Sequence, residues 1–132
     1  MESAAFHVLV VDDDPELCEL VHLLLSRIGI KTTAAYTATT AAKILKADPL
    51  PDLMILDLML PDVDGLAFLA QMRARAQFDN LPVLVLSATV DPDLIKQALD
   101  AGADRYLTKP YLANNLVSAI QDLARSGRRI RS

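Results

Sequence analysis

Six polar residues and one cation stand where apolar runs of this chain end: Asp12, Asp13, Asp14, Asp57, Ser87, Thr108 and Lys109. In an open parallel α/β sheet such strand ends converge on one edge, where ligands bind at the point of strand-order reversal. Asp14 precedes Pro15, the slot of a helix N-cap followed by a proline whose missing N–H costs nothing. Asp12 and Asp13 carry no such structural duty. Asp57 closes DLMILD and is followed by LMLP instead of a helix start, so capping does not account for it either. Ser87 closes PVLVLS and draws its weight from standing beside Asp57. Lys109 precedes Pro110, which biases it to an extended conformation and directs its side chain along the strand toward the acids.

Three carboxylates held close repel one another and need a compensating cation. Oxygen-only ligands point to Mg²⁺, or Mn²⁺ in its place, an ion that takes one or two carboxylates and leaves a corner for a phosphate oxygen. With metal on one side and Lys109 and Ser87 on the other, a phosphoryl group landing on Asp57 would have its charge neutralised. Asp57 is thus a candidate phosphoryl acceptor.

The elements that must position these residues are legible from periodicity. Apolar runs at 6–12, 52–57 and 82–87, with the weaker RYLT (105–108) and KTTAAY (31–36), read as five strands, each followed by a helical pattern. The three near-continuous runs belong inside the sheet and the two polar-leaning strands at its edges. That predicts a doubly wound (βα)5 unit with strand order 2-1-3-4-5, a flavodoxin-like topology. Asp14, Thr37, Asp64 and Asp91 are expected N-caps, and Gly29 and Gly102 are expected to close the helical runs 15–28 and 92–101. Leu17, Leu20, Val21, Leu24 and Ile28 form one predicted core stripe, and Leu112, Leu116, Ile120 and Leu123 another. His7 and His22 read as structural or exposed.

Length and composition bound the rest. The chain has 132 residues, 52% of them apolar, with net charge −4 and a single cysteine, Cys18. One domain with its own core is expected, without an internal disulfide. The start has no basic region before its first apolar run, and the apolar runs are short, so neither a signal peptide nor a membrane span is expected. A cytoplasmic protein is the expectation. Residues 1–124 carry nine basic and seventeen acidic side chains, whereas Arg125, Arg128, Arg129 and Arg131 crowd the last eight residues. The body at 1–124 is therefore acidic, and 125–132 reads as a basic tail or the start of a linker.

Taken together, VLVVDDDP (8–15), LMILDLMLPDVDG (53–65), LVLSA (84–88) and AGADRYLTKPY (101–111) resemble the receiver domain of bacterial two-component response regulators, of the chemotaxis-regulator kind, over residues 6–124. The resemblance implies that Asp57 is phosphorylated, that Asp13 binds Mg²⁺ directly and Asp12 mainly through water, and that the Met59 carbonyl is a further metal ligand. It also implies that Ser87 and the Ala88 backbone N–H hold the phosphoryl group, that Lys109 pairs with it, that Tyr106 is the aromatic switch residue, and that the Lys109-Pro110 peptide is cis. Met59 and Thr89 would flank the approach of hydrolytic water. Ser87 stands where threonine is also common, and Tyr111 where phenylalanine is frequent; neither removes a needed group.

The expected function is then a phosphorylation-dependent switch. It takes a phosphoryl group from a sensor histidine kinase or a histidine phosphotransfer protein and assists its own phosphorylation and dephosphorylation without being an enzyme for external substrates. A face formed by helix 4, strand 5 and helix 5 would engage a downstream protein or fused output domain, or form a phosphorylation-dependent dimer. The alternative is a metal-dependent phosphohydrolase passing through an aspartyl phosphate, although Leu58 and Met59 follow Asp57, leaving no second carboxylate two residues on. A flavin carrier lacks a glycine-rich phosphate loop here. The acidic body argues against nucleic acid as a partner of this chain alone.

Overall fold

The computed structural model describes residues 6–47, 49–109 and 113–128. Five strands, β1 (His7–Val11), β2 (Lys31–Ala35), β3 (Leu53–Leu56), β4 (Val83–Ser87) and β5 (Arg105–Thr108), alternate with α1 (Pro15–Ser26), α2 (Ala38–Lys46), α3 (Gly65–Arg73), α4 (Pro92–Ala101) and α5 (Ala113–Ser126). A 3₁₀ turn, Ala76–Phe78, links α3 to β4. All strand pairings are parallel, and the order is β2-β1-β3-β4-β5, as the apolar runs predict.

The central strands are apolar on both faces because both are covered. Leu9, Val11, Met54, Leu56, Val83 and Val85 point to the layer of α2, α3 and α4, where Ala41, Leu45, Leu69, Met72 and Ala98 meet them. Their alternate neighbours Val8, Val10, Leu53, Ile55, Leu84 and Leu86 point to α1 and α5. Each fully buried Leu or Ile stabilises the fold by roughly 1.5–3 kcal/mol relative to exposure. The ends of β1, β3 and β4 are therefore held in fixed positions.

All four expected caps form. The side chains of Asp14, Thr37, Asp64 and Asp91 accept from Glu16, Thr40, Leu66 and Asp93 backbone N–H groups. Gly29 and Gly102 both lie at positive φ, +79° and +121°. At Gly102 a Cβ would also stand 2.6 Å from the Cγ of Arg73, so glycine is needed there for space as well as for conformation.

One core stripe is corrected. The buried face of α1 is Cys18, Val21 and Leu25, while Leu20 and Ile28 are 47% and 42% exposed. Leucine occupies positions 17, 20, 23, 24 and 25, so apolarity surrounds the helix and its rotation is chosen by the sheet. Ile28 lies beyond the last helical residue. On α5, Leu116, Ile120 and Leu123 are buried as expected, and Ala119 joins them; Leu112 lies outside the described residues.

Past residue 124 the described chain still packs on the sheet. Helix α5 continues to Ser126, and Arg128 folds back onto the amino end of the sheet. Its Nε donates to Asp104 Oδ1 at 3.1 Å, while Nη1 and Nη2 donate to the carbonyls of Asp79 and Gly102. Asp104 is fully buried and also accepts from Val83 N at 2.8 Å and from Arg73 Nη2 at 3.2 Å. Pairing over 24 residues with an aspartate leaves no local signal in sequence. Arg129 and Arg131 lie outside the described residues.

Candidate functional site

At the carboxyl end of the sheet the backbone ladder runs one residue past the strands. Asp12 N donates to Ala35 O at 3.0 Å, Asp57 N to Val11 O at 2.9 Å and Lys109 N to Ser87 O at 2.9 Å. The expected residues are thus clamped at their main chains before their side chains meet. Carboxylate oxygens of Asp12, Asp13 and Asp57 all lie within 4.8 Å of one another, with Asp12 and Asp57 buried and Asp13 exposed. Lys109 Nζ bridges the two buried acids, at 2.8 Å from Asp12 Oδ2 and 3.1 Å from Asp57 Oδ2.

The remaining carboxylate oxygens have local donors. Asp12 Oδ1 accepts from Asp14 N at 2.9 Å, and Asp57 Oδ1 from Met59 N at 3.1 Å. Burial raises the Asp12 carboxyl above its ordinary value, outweighing the Lys109 and Asp14 hydrogen bonds, and the charge of Asp57 adds to it. For Lys109, burial acts against the ammonium, but its bonds to Asp12 and Asp57 prevail and hold its proton more tightly than usual. Two of the three carboxylates therefore share one ammonium, and the excess negative charge sits in a cup of hard oxygen donors. That donor set suits Mg²⁺ or Mn²⁺.

Ser87 supplies a second sign of an incomplete site. The β3–β4 register sets Leu56 opposite Val85, which puts Ser87 one residue beyond the level of Asp57 on the neighbouring strand. Its Oγ is buried and has no hydrogen-bond partner among the described residues. A buried hydroxyl left unpaired costs about 1–3 kcal/mol, and an anionic oxygen placed over the cup would satisfy it. Ala88, next in sequence, is exposed at the same rim.

Tyr106 reaches from the edge strand to this rim. Its hydroxyl donates to the Thr89 carbonyl at 3.0 Å, tying β5 to the loop after Ser87, and burial raises its phenol. The Ser87 hydroxyl is near enough to perturb the phenol without meeting hydrogen-bond geometry. The Met59 side chain is 67% exposed at the mouth of the cup. Pro110 and Tyr111 lie outside the described residues, and with them the expected cis peptide.

Residues 8–121 match the family description response regulator receiver domain. The chain belongs to the response regulator receiver family. It is 36% identical over 118 residues to the transcriptional regulatory protein KdpE of Staphylococcus aureus, a match covering 89% of this chain and 49% of that protein. It is 35% identical over 123 residues to the DNA-binding dual master transcriptional regulator RpaA of Synechocystis, covering 93% and 51%. The chain thus spans about half the length of these curated relatives. Among solved structures, a Francisella response regulator receiver domain matches with TM-score 0.82 at 31% identity, covering 90% of this chain and 96% of that one. The chemotaxis response regulator CheY4 of Vibrio cholerae matches with TM-score 0.82 at 27% identity, covering 91% and 99%.

As a receiver domain the chain is a phosphorylation-dependent signalling switch, and the phosphohydrolase alternative finds no support. No helix among the described residues of the receiver is long and apolar enough to cross a membrane. Two residues of the loop after Asp57 escape a reading by strand ends. Gly65 opens α3 so close to Asp57 that a Cβ would stand 2.5 Å from Leu58 Cα and 2.6 Å from Asp57 O. Glycine immediately after the Asp64 cap, where any residue can start a helix, is the signal that could have found it. Asp62 is the other, and its partners lie more than twenty residues away.

Proposed function

We propose that this receiver takes a phosphoryl group from a phosphohistidine of a sensor histidine kinase or histidine phosphotransfer protein onto Asp57. The reading rests on one observation: Asp12, Asp13 and Asp57 converge within 4.8 Å, with Lys109 bridging two of them beside a Ser87 hydroxyl that has no partner among the described residues. An Asp57 carboxylate oxygen attacks phosphorus as the P–N bond breaks, and the bonding electrons leave with the donor imidazole. Asp12, Asp13, Asp57 and the Met59 carbonyl would hold Mg²⁺, which supplies positive charge for the phosphoryl oxygens when bound.

Lys109 exchanges its bond to Asp57 for one to the transferred group, and the Ser87 hydroxyl and Ala88 N–H donate to the remaining oxygens. Movement of Ser87 toward that group opens space beside Tyr106, whose bond to Thr89 is the contact to be exchanged. The shift is then read on α4, β5 and α5 by a downstream protein, a fused output module or a second copy. The family match over residues 8–121 supports residues 1–124 as the receiver unit here. Action in the cytoplasm, without turnover of external substrates, completes the reading.

The test is intact mass after incubation with acetyl phosphate, with and without Mg²⁺, for wild type and Asp57→Asn. A gain of about one phosphoryl mass that requires Mg²⁺ and is lost completely in the variant is expected. No adduct in wild type, together with no binding of beryllofluoride, would overturn the reading.

A further inference from the structure

The segment between Asp57 and α3 is closed on itself. Gly65 N donates to Leu58 O at 2.8 Å, and Met59 pairs with Asp64 in an isolated antiparallel bridge. At the tip of this loop, Asp62 reaches across to the first turn of α2. Its Oδ1 accepts from Ala38 N at 3.0 Å; its Oδ2 accepts from Thr39 N at 2.9 Å and from Thr39 Oγ1 at 2.8 Å. An exposed carboxylate with three donors is unusual company for a loop side chain. These bonds hold its carboxyl down at about 2, the Ala38 N–H being the largest contributor.

Helix α2 already has a cap of its own, Thr37, which accepts from Thr40 N at 3.1 Å. Asp62 takes the two N–H groups before that, which a helix start leaves without partners. The distinctive consequence lies in what the bond connects. Ala38 is three residues past the end of β2, and Ala35 O accepts from Asp12 N. Asp62 thereby ties the loop carrying Asp57 and Met59 to the start of α2, just past the β2 end that accepts from Asp12 N.

We propose that Asp62 is a positioning residue of the cation site. By strapping the acceptor loop to α2 it fixes the Met59 carbonyl and Asp57 against Asp12 and Asp13, so that its loss weakens divalent-cation binding out of proportion to any loss of fold. The inference rests on the metal reading proposed above and deepens it. Preorganisation is the physical reason: donors on separate segments must otherwise be ordered when the ion binds, and outer partners of a metal site commonly govern its affinity.

The experiment is a Mn²⁺ titration of the whole chain, free Mn²⁺ being followed by electron paramagnetic resonance, beside thermal melts. High salt suppresses any through-space effect of the Asp62 charge. Asp62→Ala is expected to bind Mn²⁺ roughly ten-fold more weakly than wild type, the lower end of what outer partners cost. Asp62→Asn, which keeps one acceptor oxygen, should recover part of that loss. Thr37→Ala, which removes a cap from the same helix without touching the loop, should lower the melting temperature and leave Mn²⁺ affinity unchanged. Wild-type affinity in Asp62→Ala, or an equal loss in Thr37→Ala, overturns the inference while the metal reading stands. Absence of Mn²⁺ uptake by wild type overturns both.

Discussion

At the carboxyl end of the sheet, Asp12 and Asp57 share the single ammonium of Lys109, with Asp13 close by; at the amino end, Asp104 is flanked by Arg73 and Arg128. Both ends bury aspartate, but the charge balance is opposite. Asp104 has more donors than charge: Val83 N, Arg73 and Arg128 converge on it, and the spare guanidinium N–H groups go to the carbonyls of Phe78, Asp79 and Gly102. Burial and the nearby Arg128 bring Arg73 down to about 10, which leaves it charged at neutral pH. The carboxyl end keeps carboxylates in excess and a hydroxyl without a partner among the described residues. A finished polar network locks the fold, whereas an unfinished one is a place for a cation and an anion to arrive.

The comparison breaks first at Asp104. Asp104→Ala leaves two largely buried guanidiniums without their carboxylate and Val83 N–H without its acceptor, so urea denaturation should show a loss of about 3–5 kcal/mol. Indifference of stability to this change would mean that the amino-end network is decoration. Next, Arg128→Ala removes three hydrogen bonds but leaves Asp104 paired with Arg73; a loss of about 1–3 kcal/mol is expected. If stability is unchanged, residues beyond α5 are not part of the folded unit.

The carboxyl end should respond with the opposite sign. Because burial raises the folded-state carboxyl of Asp12, ionisation costs stability at neutral pH, and that cost is relieved as pH falls toward 3.8. In metal-free buffer Asp12→Asn should therefore melt above wild type near about pH 7. The advantage should shrink on acidification. Millimolar Mg²⁺ should raise the melting temperature of wild type more than that of the variant, by linkage to the folded state. A variant that melts lower at neutral pH would show that the acid cluster is held as comfortably as Asp104.

Much of this arrangement is legible in the chain itself. Continuous apolar runs mark β1, β3 and β4 because a strand covered on both faces cannot afford alternation, and Asp-Pro pairs mark two helix starts. Once the strand order is known, Asp12, Asp13, Asp57, Ser87 and Lys109 fall on one edge, since each ends a parallel strand. Other features are not legible, for a common reason. Leu20 faces solvent because the sheet selects one rotation of a helix that is leucine-rich all round. Asp62 and Arg128 bind partners more than twenty residues away, so neither leaves a pattern within one element.

Local rules therefore sufficed for what depends on periodicity and on neighbours in the chain: element type, element ends, strand order and the residues at strand ends. The tertiary structure alone decided that Arg73 and Arg128 enclose Asp104 and that Lys109 spans Asp12 and Asp57. Asp12 and Asp57 follow strands whereas Asp104 precedes one, and the partners that complete each of them come from distant segments. Electrostatic energy depends on distance and burial, and only the packed fold sets those.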